Sequence, residues 1–384
     1  MKSPATPPEP ISRPARVWFN KCFSSVHGVF RQLRAGWGPS LTLIGSHTQQ
    51  DFGPLTECDI VEVEPSGITE DQYVAWCLDF CTRHRVEVFL PGRMREAIAD
   101  RRADFIALGT RLIVAGTGAT MRLLEAKGSF LEQVPPGVVV PRFVRVRTWA
   151  QFEAARKELL AEGRRVCFKP ATSVFGLGFY VLDDSLTPLR RLLNSEGHRI
   201  STEELRGVLE ALDEFPELLV MEYLNGGEYS VDVLAKQGRV LALVSRRKPY
   251  NGRVCITGTS RTEVVTEGQS QTLTPAPDVE AMVRLLVAHF HLDGLLNVQF
   301  RSRAVFPESP QLLEINGRMS GGLPYIGLTG LNLPLLAVQF ALHNPGEPLP
   351  EIPVAFLPIR VQERSEVFVM PARPVHATSD VAND

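Results

Sequence analysis

The chain has 384 residues, of which 44% are hydrophobic and 22% charged, and its formal net charge is −2. This length supports two or three domains with a large core, and the near-neutral charge argues against nucleic acid or an anionic membrane as a partner. The sequence has no apolar run of about 18 residues, so we expect no membrane span. Its six cysteines are scattered, which favours reduced structural thiols and a cytoplasmic protein.

The first domain is predicted over residues 16–118, after a proline-rich, disordered tail at 1–15 that lacks the apolar stretch of a signal peptide. Short runs rich in Val, Ile and Leu alternate here with helical patterns. The expected strands are VWFN, PSLTLIGSH, CDIVEVEP, VEVFLPG and RLIVAG, and the expected helices are SSVHGVFRQLR, ITEDQYVAWCLDFCTRH and MREAIADRRADFIAL. Strands that alternate with helices predict a parallel, Rossmann-like α/β sheet.

A second, smaller unit of α+β type is expected over residues 119–224. The amphipathic helix WAQFEAARKELLAEG precedes the strands RRVCFKP and GFYVLDD, and the charged helix STEELRGVLEALDEF precedes the strand ELLVMEYL. Lys127 lies ahead of these elements, on a helix that leads into a proline-rich connector. Taken alone, a lysine on a helix is expected to be a solvated side chain.

Lys169 stands near the end of the strand RRVCFKP, and a loop of small residues follows at once. A lysine in this position normally extends to water. The alternative is a phosphate site, in which the cation acts together with Ser173, Gly176 and Gly178 of the loop. Glycine allows close backbone approach, and such a loop offers N–H donors to phosphate oxygens.

The third unit, residues 225–370, begins where the strand ELLVMEYL breaks at the sequence NGG. Backbone groups around the break are then free to bind an adenine edge, and Glu228 to hold ribose hydroxyls; the alternative is an acidic hairpin turn. The elements expected beyond it are the strands EYSVDVLAK and RVLALVSRR, the helix PDVEAMVRLLVAHF and the strands LLNVQFRS and PQLLEING. A second disordered tail is expected at 371–384.

The last two strands of this unit carry polar side chains at a spacing of two. Gln299 in LLNVQF, and Glu314 and Asn316 in LLEINGR, fall on one face if the two strands form an antiparallel hairpin. One carboxylate with two amide oxygens is an environment for a hard cation such as Mg²⁺, and Arg318 would face a phosphate that the cation also touches. The alternatives are a solvated strand end and a buried amide at Gln299.

Taken in order along the chain, these features resemble the ATP-grasp superfamily: the lysines Lys127 and Lys169, the strand break, and NVQF followed by LLEINGR. The resemblance covers roughly residues 120–345 and is strongest to the large chain of carbamoyl-phosphate synthetase and related amide-forming ligases. The opening VWFNKCFSS with IGSHT also resembles single-grasp proteins of bacterial biosynthetic or stress gene clusters. The resemblance implies an ATP-grasp fold after a Rossmann-like domain.

The resemblance also implies ATP and Mg²⁺, with Mn²⁺ as an alternative, and a role for each matched residue. The metal ligands would be Gln299, Glu314 and Asn316. Arg318 and Lys169 would act in catalysis, with Lys127 and Lys169 on the ATP phosphates. The adenosine contacts would come from Glu222, Tyr223, Leu224 and Glu228. The chain departs from the usual family pattern at Gly317, where a proline is common, and in a phosphate loop with few glycines.

The implied reaction is ATP-dependent activation of a small-molecule carboxylate as an acyl-phosphate, followed by attack of an amine or another nucleophile. The charged run SRRKPYNGRVCITGTSR offers Arg247 or Arg253 to the acid, and Ser320 and Gly321 would border the same pocket. A solvated face is the alternative for this run. The rival functions are a non-catalytic nucleotide-binding module, a kinase-like protein and an unrelated α/β interaction protein; a homodimer is left open.

Overall fold

Three β-sheets organise the computed structural model, which describes residues 13–23, 25–49, 51–172, 178–187, 189, 198–248, 271–304, 307–343, 352, 354 and 356–361. The strands are β1 (Ala15–Phe19), β2 (Leu41–His47), β3 (Ile60–Val63), β4 (Val88–Leu90), β5 (Arg111–Leu112), β6 (Phe143–Val146), β7 (Val166–Pro170), β8 (Tyr180–Leu182), β9 (Arg199–Ile200), β10 (Leu218–Glu222), β11 (Glu228–Lys236), β12 (Arg239–Lys248), β13 (Gln271–Leu273), β14 (Gly294–Ser302), β15 (Pro310–Asn316) and β16 (Ile359–Val361).

The helices connect and cover these sheets. They are α1 (Val26–Trp37), α2 (Glu70–His84), α3 (Arg95–Asp100), α4 (Arg102–Ala107), α5 (Gly118–Glu125), α6 (Lys127–Glu132), α7 (Trp149–Ala161), α8 (Thr202–Leu209), α9 (Pro277–His289), α10 (Leu323–Ile326) and α11 (Leu333–Leu342), with short 3-10 helices at Gly53–Glu57 and Gly327–Thr329. Among the described residues, no single helix is both long and apolar enough to cross a membrane; only a bent pair, Leu323–Thr329 with Leu333–Leu342, meets the length and composition test jointly.

The first sheet is parallel, with strand order β3-β2-β1-β4-β5, as the alternation of strands and helices predicts. Two local expectations are corrected. Strand β1 begins at Ala15, inside the predicted tail, because this residue pairs with Leu41 and its N–H donates to the Ser40 carbonyl at 3.2 Å. The single helix expected over 94–108 is two helices, because Arg101 leaves helical geometry with φ −99° and ψ 20°.

The second sheet has the order β6-β10-β7-β8-β9. Strands β7 and β8 pair antiparallel, as predicted, and α7 and α8 supply apolar side chains to its core. Strands β6 and β9 were not predicted. Residues 143–146 follow a proline-rich connector and only one of them is buried, so no apolar pattern identifies them as a strand. Residues 199–200 form a strand of only two residues, too short for periodicity to register.

The third sheet has the order β15-β14-β11-β12-β13-β16. Its first four strands are those expected from the sequence; the three-residue strands β13 and β16 were not. One face is apolar and packs against α9 through Val231, Val298, Phe300 and Val283. On the opposite face, one end is apolar and joins α1 and α11 in a second core, and the other end is polar. Because side chains alternate along each strand, the polar end collects side chains from the first four strands of this order.

Candidate functional site

The proposed metal ligands lie side by side on the polar face of the third sheet. In the antiparallel pair β14–β15, Gln299 is directly opposite Glu314, and Asn297 is opposite Asn316. The Asn316 side-chain amide donates to Glu314 Oε1 at 3.1 Å, and the Gln299 amide donates to Asn297 Oδ1 at 3.0 Å. Each amide nitrogen thus points at a neighbouring acceptor, and the oxygen of the same amide group therefore points away from that acceptor. The strand pairing that the sequence predicts is confirmed.

Two lysines from the smaller unit converge on this carboxylate. Lys127 is buried, and its Nζ lies 3.8 Å from Glu314 Oε2. Its backbone N–H donates to the Ala171 carbonyl at 3.1 Å, which ties the start of α6 to the end of β7. Lys169 is the penultimate residue of β7. Desolvation lowers the pKa of its amine, the charge of Lys127 lowers it further, and Glu314 opposes both. The two cations and the carboxylate therefore share one electrostatic environment.

Arg318 borders the same carboxylate from the other side. Burial lowers the pKa of its guanidinium, as does the nearby charge of Arg95, while Glu314 raises it. The guanidinium lies over the ring of Phe23, 5.1 Å from the ring centre. Arg95 and Phe23 belong to the Rossmann-like unit, so Arg318 is held between that unit and the third sheet.

Gly317, the departure from the usual family pattern, has a steric cause in this fold. A Cβ at this position would lie 2.8 Å from the Cβ of Ala115, in the segment that follows β5. Proline also carries a Cβ, so it would meet the same obstacle. The close approach of the Rossmann-like unit to the end of β15 therefore favours glycine here.

Glu228 presents an unsatisfied acceptor at the edge of the site. Its side chain is buried, and no described residue donates a hydrogen bond to Oε1, although Lys248 Nζ lies 3.6 Å away, at ion-pair distance. A buried carboxylate oxygen without a hydrogen-bond donor is costly unless a ligand donates to it. Leu224, also buried, makes no backbone hydrogen bond to another described residue. Both observations suit a bound molecule with donors and acceptors at this edge.

The neighbouring strand end is more fully engaged than expected. The backbone N–H groups of Glu222 and Tyr223 donate to the carbonyls of Arg142 and Arg165 at 2.9 and 2.7 Å. The buried carboxylate of Glu222 accepts from the Arg142 N–H at 3.0 Å and from Arg303 at 3.1 Å. The N–H groups of two of the three residues expected to meet adenine are therefore already used in backbone hydrogen bonds. The N–H group of the third, Leu224, makes no such bond to a described residue.

The phosphate loop is described only at its end. Gly178 has φ +77°, and a Cβ there would lie 2.7 Å from Pro170 Cγ, so this position requires glycine. Ser173 and Gly176 lie outside the described residues, as does Arg253.

A buried arginine that the sequence analysis did not single out organises the centre of the polar face. Arg246 pairs with the fully buried Asp232, at 2.9 Å between Nη2 and Oδ2. It also donates to Gln271 Oε1 at 2.7 Å, to Ser230 Oγ at 2.9 Å and to Ser320 Oγ at 3.3 Å. Ser320, expected to border the pocket, is therefore linked to the polar face through this guanidinium.

The neighbouring candidate Arg247 lies on the opposite face of the sheet, in a strand and not in a loop. Strand β12 runs through to Lys248, so Arg246 and Arg247 point to opposite faces. Arg247 forms an ion pair with Glu308, which also accepts from Tyr229 Oη. Counting by twos along this strand would have indicated Arg246 as the residue on the polar face.

Two other parts of the site had no sequence signal. Phe23 and Arg95 come from the Rossmann-like unit, more than 200 residues ahead of Arg318, and nothing local relates them to it. Gly321, by contrast, was predicted at the pocket border; a Cβ there would lie 3.6 Å from Ser25, so this turn does face the Rossmann-like unit.

Residues 214–367 match the family model described as "ATP-grasp in the biosynthetic pathway with Ter operon". This range contains the strand break, the polar face of the third sheet and Arg318, but neither Lys127 nor Lys169. Among curated proteins no match was found.

Solved structures share the fold at low sequence identity. An L-amino acid ligase from Bacillus licheniformis is 16% identical, with a TM-score of 0.56 over 86% of this chain and 75% of that one. The biotin carboxylase domain of a Hydrogenobacter thermophilus 2-oxoglutarate carboxylase, solved with MgADP and bicarbonate, is 14% identical, with a TM-score of 0.57 over 88% and 71%. The ADP complex of N5-carboxyaminoimidazole ribonucleotide synthetase is 13% identical, with a TM-score of 0.55 over 83% and 74%. Residues 214–367 therefore match an ATP-grasp family model, and the chain shares its fold with these solved structures.

Proposed function

We propose that the protein is an ATP- and Mg²⁺-dependent carboxylate–amine ligase that activates a small-molecule acid as an acyl-phosphate. The observation that carries this proposal is the convergence of Lys127 and Lys169 on Glu314, beside two amides on the same sheet face. Phosphoryl transfer depends on positioning and on neutralising charge, and these residues supply both without a covalent role for the protein.

The donor set fits a hard cation that is shared with a nucleotide. In the described ranges, no group of three or more His, Cys, Asp or Glu side chains could hold a metal ion. A cation at Glu314 would therefore rely on one carboxylate and the amide oxygens of Gln299 and Asn316. Mg²⁺ suits such a set, because it is usually held by one or two carboxylates together with substrate phosphates, and Mn²⁺ is the alternative. When bound, it would neutralise charge on the ATP phosphates.

ATP has matching features in this chain. The buried Oε1 of Glu228, which accepts no hydrogen bond from a described residue, suits a ribose hydroxyl. The backbone of Leu224, which makes no hydrogen bond to another described residue, suits the adenine edge. Lys127 and Lys169 would hold the phosphates. Lys169 would regain its ordinary protonation there, because phosphate charge offsets the desolvation that lowers its pKa.

The reaction then proceeds in two balanced steps. An oxygen of the substrate carboxylate attacks the γ-phosphorus and the bond to the β-phosphate oxygen breaks, which leaves ADP and an acyl-phosphate. The amine next attacks the acyl carbon, the C–O bond to phosphate breaks, and the amine loses a proton. Arg318 lies between Glu314 and the Rossmann-like unit, where it would stabilise the charge of the transferred phosphoryl group.

The remaining expectations become part of this proposal. The first unit, 16–118, is proposed to support the acid site, 119–224 to cover the nucleotide and 225–370 to carry the metal site, between tails at 1–15 and 371–384. We further propose small-molecule substrates and a cytoplasmic location where ATP is available, and a homodimer stays open. The particular likeness to carbamoyl-phosphate synthetase stays a prediction.

The test is ADP release with a panel of carboxylic acids, each with and without amine acceptors, and with product masses determined directly. Release of ADP, together with a product whose mass equals that of the acid plus the amine minus one water, identifies a ligase. ADP with a stable phosphorylated product and no need for an amine identifies a kinase-like protein. ATP that binds in a Glu228-dependent manner but never turns over identifies a non-catalytic nucleotide-binding protein. No ATP binding would refute all three.

A further inference from the structure

A cavity that opens to solvent lies between the Rossmann-like unit and the end of β15. It sits at the carboxyl ends of β1 and β4, where ligands bind in open parallel sheets. One wall is the segment that carries Arg318, Met319 and Ser320, so the cavity adjoins the proposed phosphoryl-transfer site directly.

Most of the cavity wall is apolar. Buried side chains from both units contribute to it, and Phe23, which is 46% exposed, stands at the rim with Arg318 over its ring. The apolar members of the wall are Phe23, Val26, Val29, Leu90, Pro91, Ile113, Val114, Leu295 and Met319. The thiol of Cys22 is also there; burial and the nearby Glu64 raise its pKa to about 12, so it is a neutral group in this wall.

The charged side chains of the wall are of one sign. Arg95 and Arg318 line the cavity, and among the described residues its lining includes no Asp or Glu. The two guanidiniums are close enough that Arg95 lowers the pKa of Arg318. Arg95 also pairs with Glu125 at 3.0 Å, and this carboxylate lies outside the cavity lining. An anion placed beside Arg318 is attracted, while an ammonium group in the cavity would be desolvated beside two guanidiniums, and the described lining offers it no carboxylate.

We infer that the acid substrate is a carboxylic acid with an apolar tail and no α-ammonium group, held with its carboxylate toward Arg318 and its tail against Phe23 and the apolar wall. The inference rests on the proposed function, because the cavity is taken as the acid subsite of that reaction. An apolar concave pocket with few convergent polar groups is the usual form of a small-molecule site.

Three probes isolate the two claims. 3-Phenylpropanoate and L-phenylalanine share one carbon skeleton and differ in the α-ammonium, and succinate keeps the carboxylate but replaces the apolar tail with a second charge. Binding is measured by titration calorimetry in the presence of Mg²⁺ and a non-hydrolysable ATP analogue. We expect 3-phenylpropanoate to bind at least about tenfold more tightly than either of the others.

Variants then locate the bound probe. Phe23→Ala, at an exposed position that should not affect folding, is expected to weaken 3-phenylpropanoate about five- to twentyfold. Met319→Ala is the second cavity variant. The matched control is Leu108→Ala, because Leu108 is also 46% exposed but lies at the end of α4, outside the cavity lining. This variant should bind the probe as the wild type does.

The outcomes separate this inference from the proposed function. L-Phenylalanine or succinate binding as tightly as 3-phenylpropanoate, no binding of any probe, or unchanged binding in both cavity variants would overturn the inference. ADP release driven by amino or dicarboxylic acids alone would also overturn it while supporting the ligase. Selective binding of 3-phenylpropanoate without ADP release for any acid and amine would support the cavity assignment and refute the ligase.

Discussion

Replacing Glu314 by glutamine should change the affinity for ATP in opposite directions with and without Mg²⁺. The substitution keeps the size of the side chain and removes its charge. In the protein without ligands, this charge faces Lys127 at 3.8 Å and raises the pKa of Lys169. Without a metal, the carboxylate therefore competes with ATP phosphates for the same cations.

The size of this competition follows from the geometry. Two unit charges about 4 Å apart interact by about 1 kcal/mol in water and about 4 kcal/mol at the effective dielectric of a protein surface. The side chain of Lys127 is 9% exposed but that of Glu314 is 26% exposed, so screening places the pair in the lower half of this interval, at about 1–2 kcal/mol. In E314Q that energy is available to the phosphates, which corresponds to ATP binding about 5- to 30-fold more tightly in EDTA.

With Mg²⁺ present, the effect is reversed. The variant lacks the only carboxylate in the proposed donor set, so cation neutralisation of the phosphates is impaired. ADP release should fall by about 10²–10³-fold, the scale seen when one preorganised electrostatic contact is lost. Calorimetric titration in EDTA and a coupled ADP assay in Mg²⁺ measure the two effects on the same preparation.

Glu308→Gln is the matched control. Glu308 is a comparably exposed glutamate, with 22% side-chain exposure, and it pairs with Arg247 on the opposite sheet face. Removing its charge should leave both measurements near the wild-type values. Weaker binding of ATP by E314Q in EDTA would show that Glu314 does not face the lysines in solution. Wild-type turnover of E314Q in Mg²⁺ would show that Glu314 does not serve the metal.

Three further predictions concern the supports of the site. Burial lowers the pKa of Lys169 below its usual 10.5. Between the lowered pKa of the folded chain and the usual pKa of the unfolded chain, the unfolded chain holds more of the proton, so the free energy of unfolding should rise with pH. ATP binding should take up a proton in the same pH range, and calorimetry in buffers of different ionisation enthalpy should show that this uptake is lost in Lys169→Met. Gly322→Ala would place a Cβ 2.1 Å from the Arg246 guanidinium carbon, so it should destabilise the fold by about 1–3 kcal/mol in denaturant unfolding. The control Gly207→Ala, at a position with open space around it, should not destabilise the fold, and equal stabilities of the two variants would contradict this packing. The buried Asn20 side chain makes four hydrogen bonds, three with the backbone of Gly92 and Arg93 after β4 and one with the Tyr73 hydroxyl in α2. Asn20→Ala should therefore cost about 2–4 kcal/mol by the same measurement, and a loss below 1 kcal/mol would argue against this role.

Local patterns in the sequence were sufficient for the elements that build the site. The alternation of Asn297 and Gln299, and of Glu314 and Asn316, depends only on the two-residue period of a strand, and a short connection between two such strands favours antiparallel pairing. The same reasoning, applied to β12, would have separated Arg246 from Arg247. The parallel order of the first sheet follows from strands that alternate with helices.

What only the tertiary structure decided is where side chains from distant segments meet. Arg318 stacks on Phe23 and lies near Arg95, and Gly317 is required by the approach of Ala115; these contacts join segments about 200 or more residues apart. No periodicity records such distances, because periodicity reflects the geometry of one element at a time. The polar cage could therefore be predicted from two adjacent strands, while the cavity beside it depends on how the Rossmann-like unit packs against the third sheet.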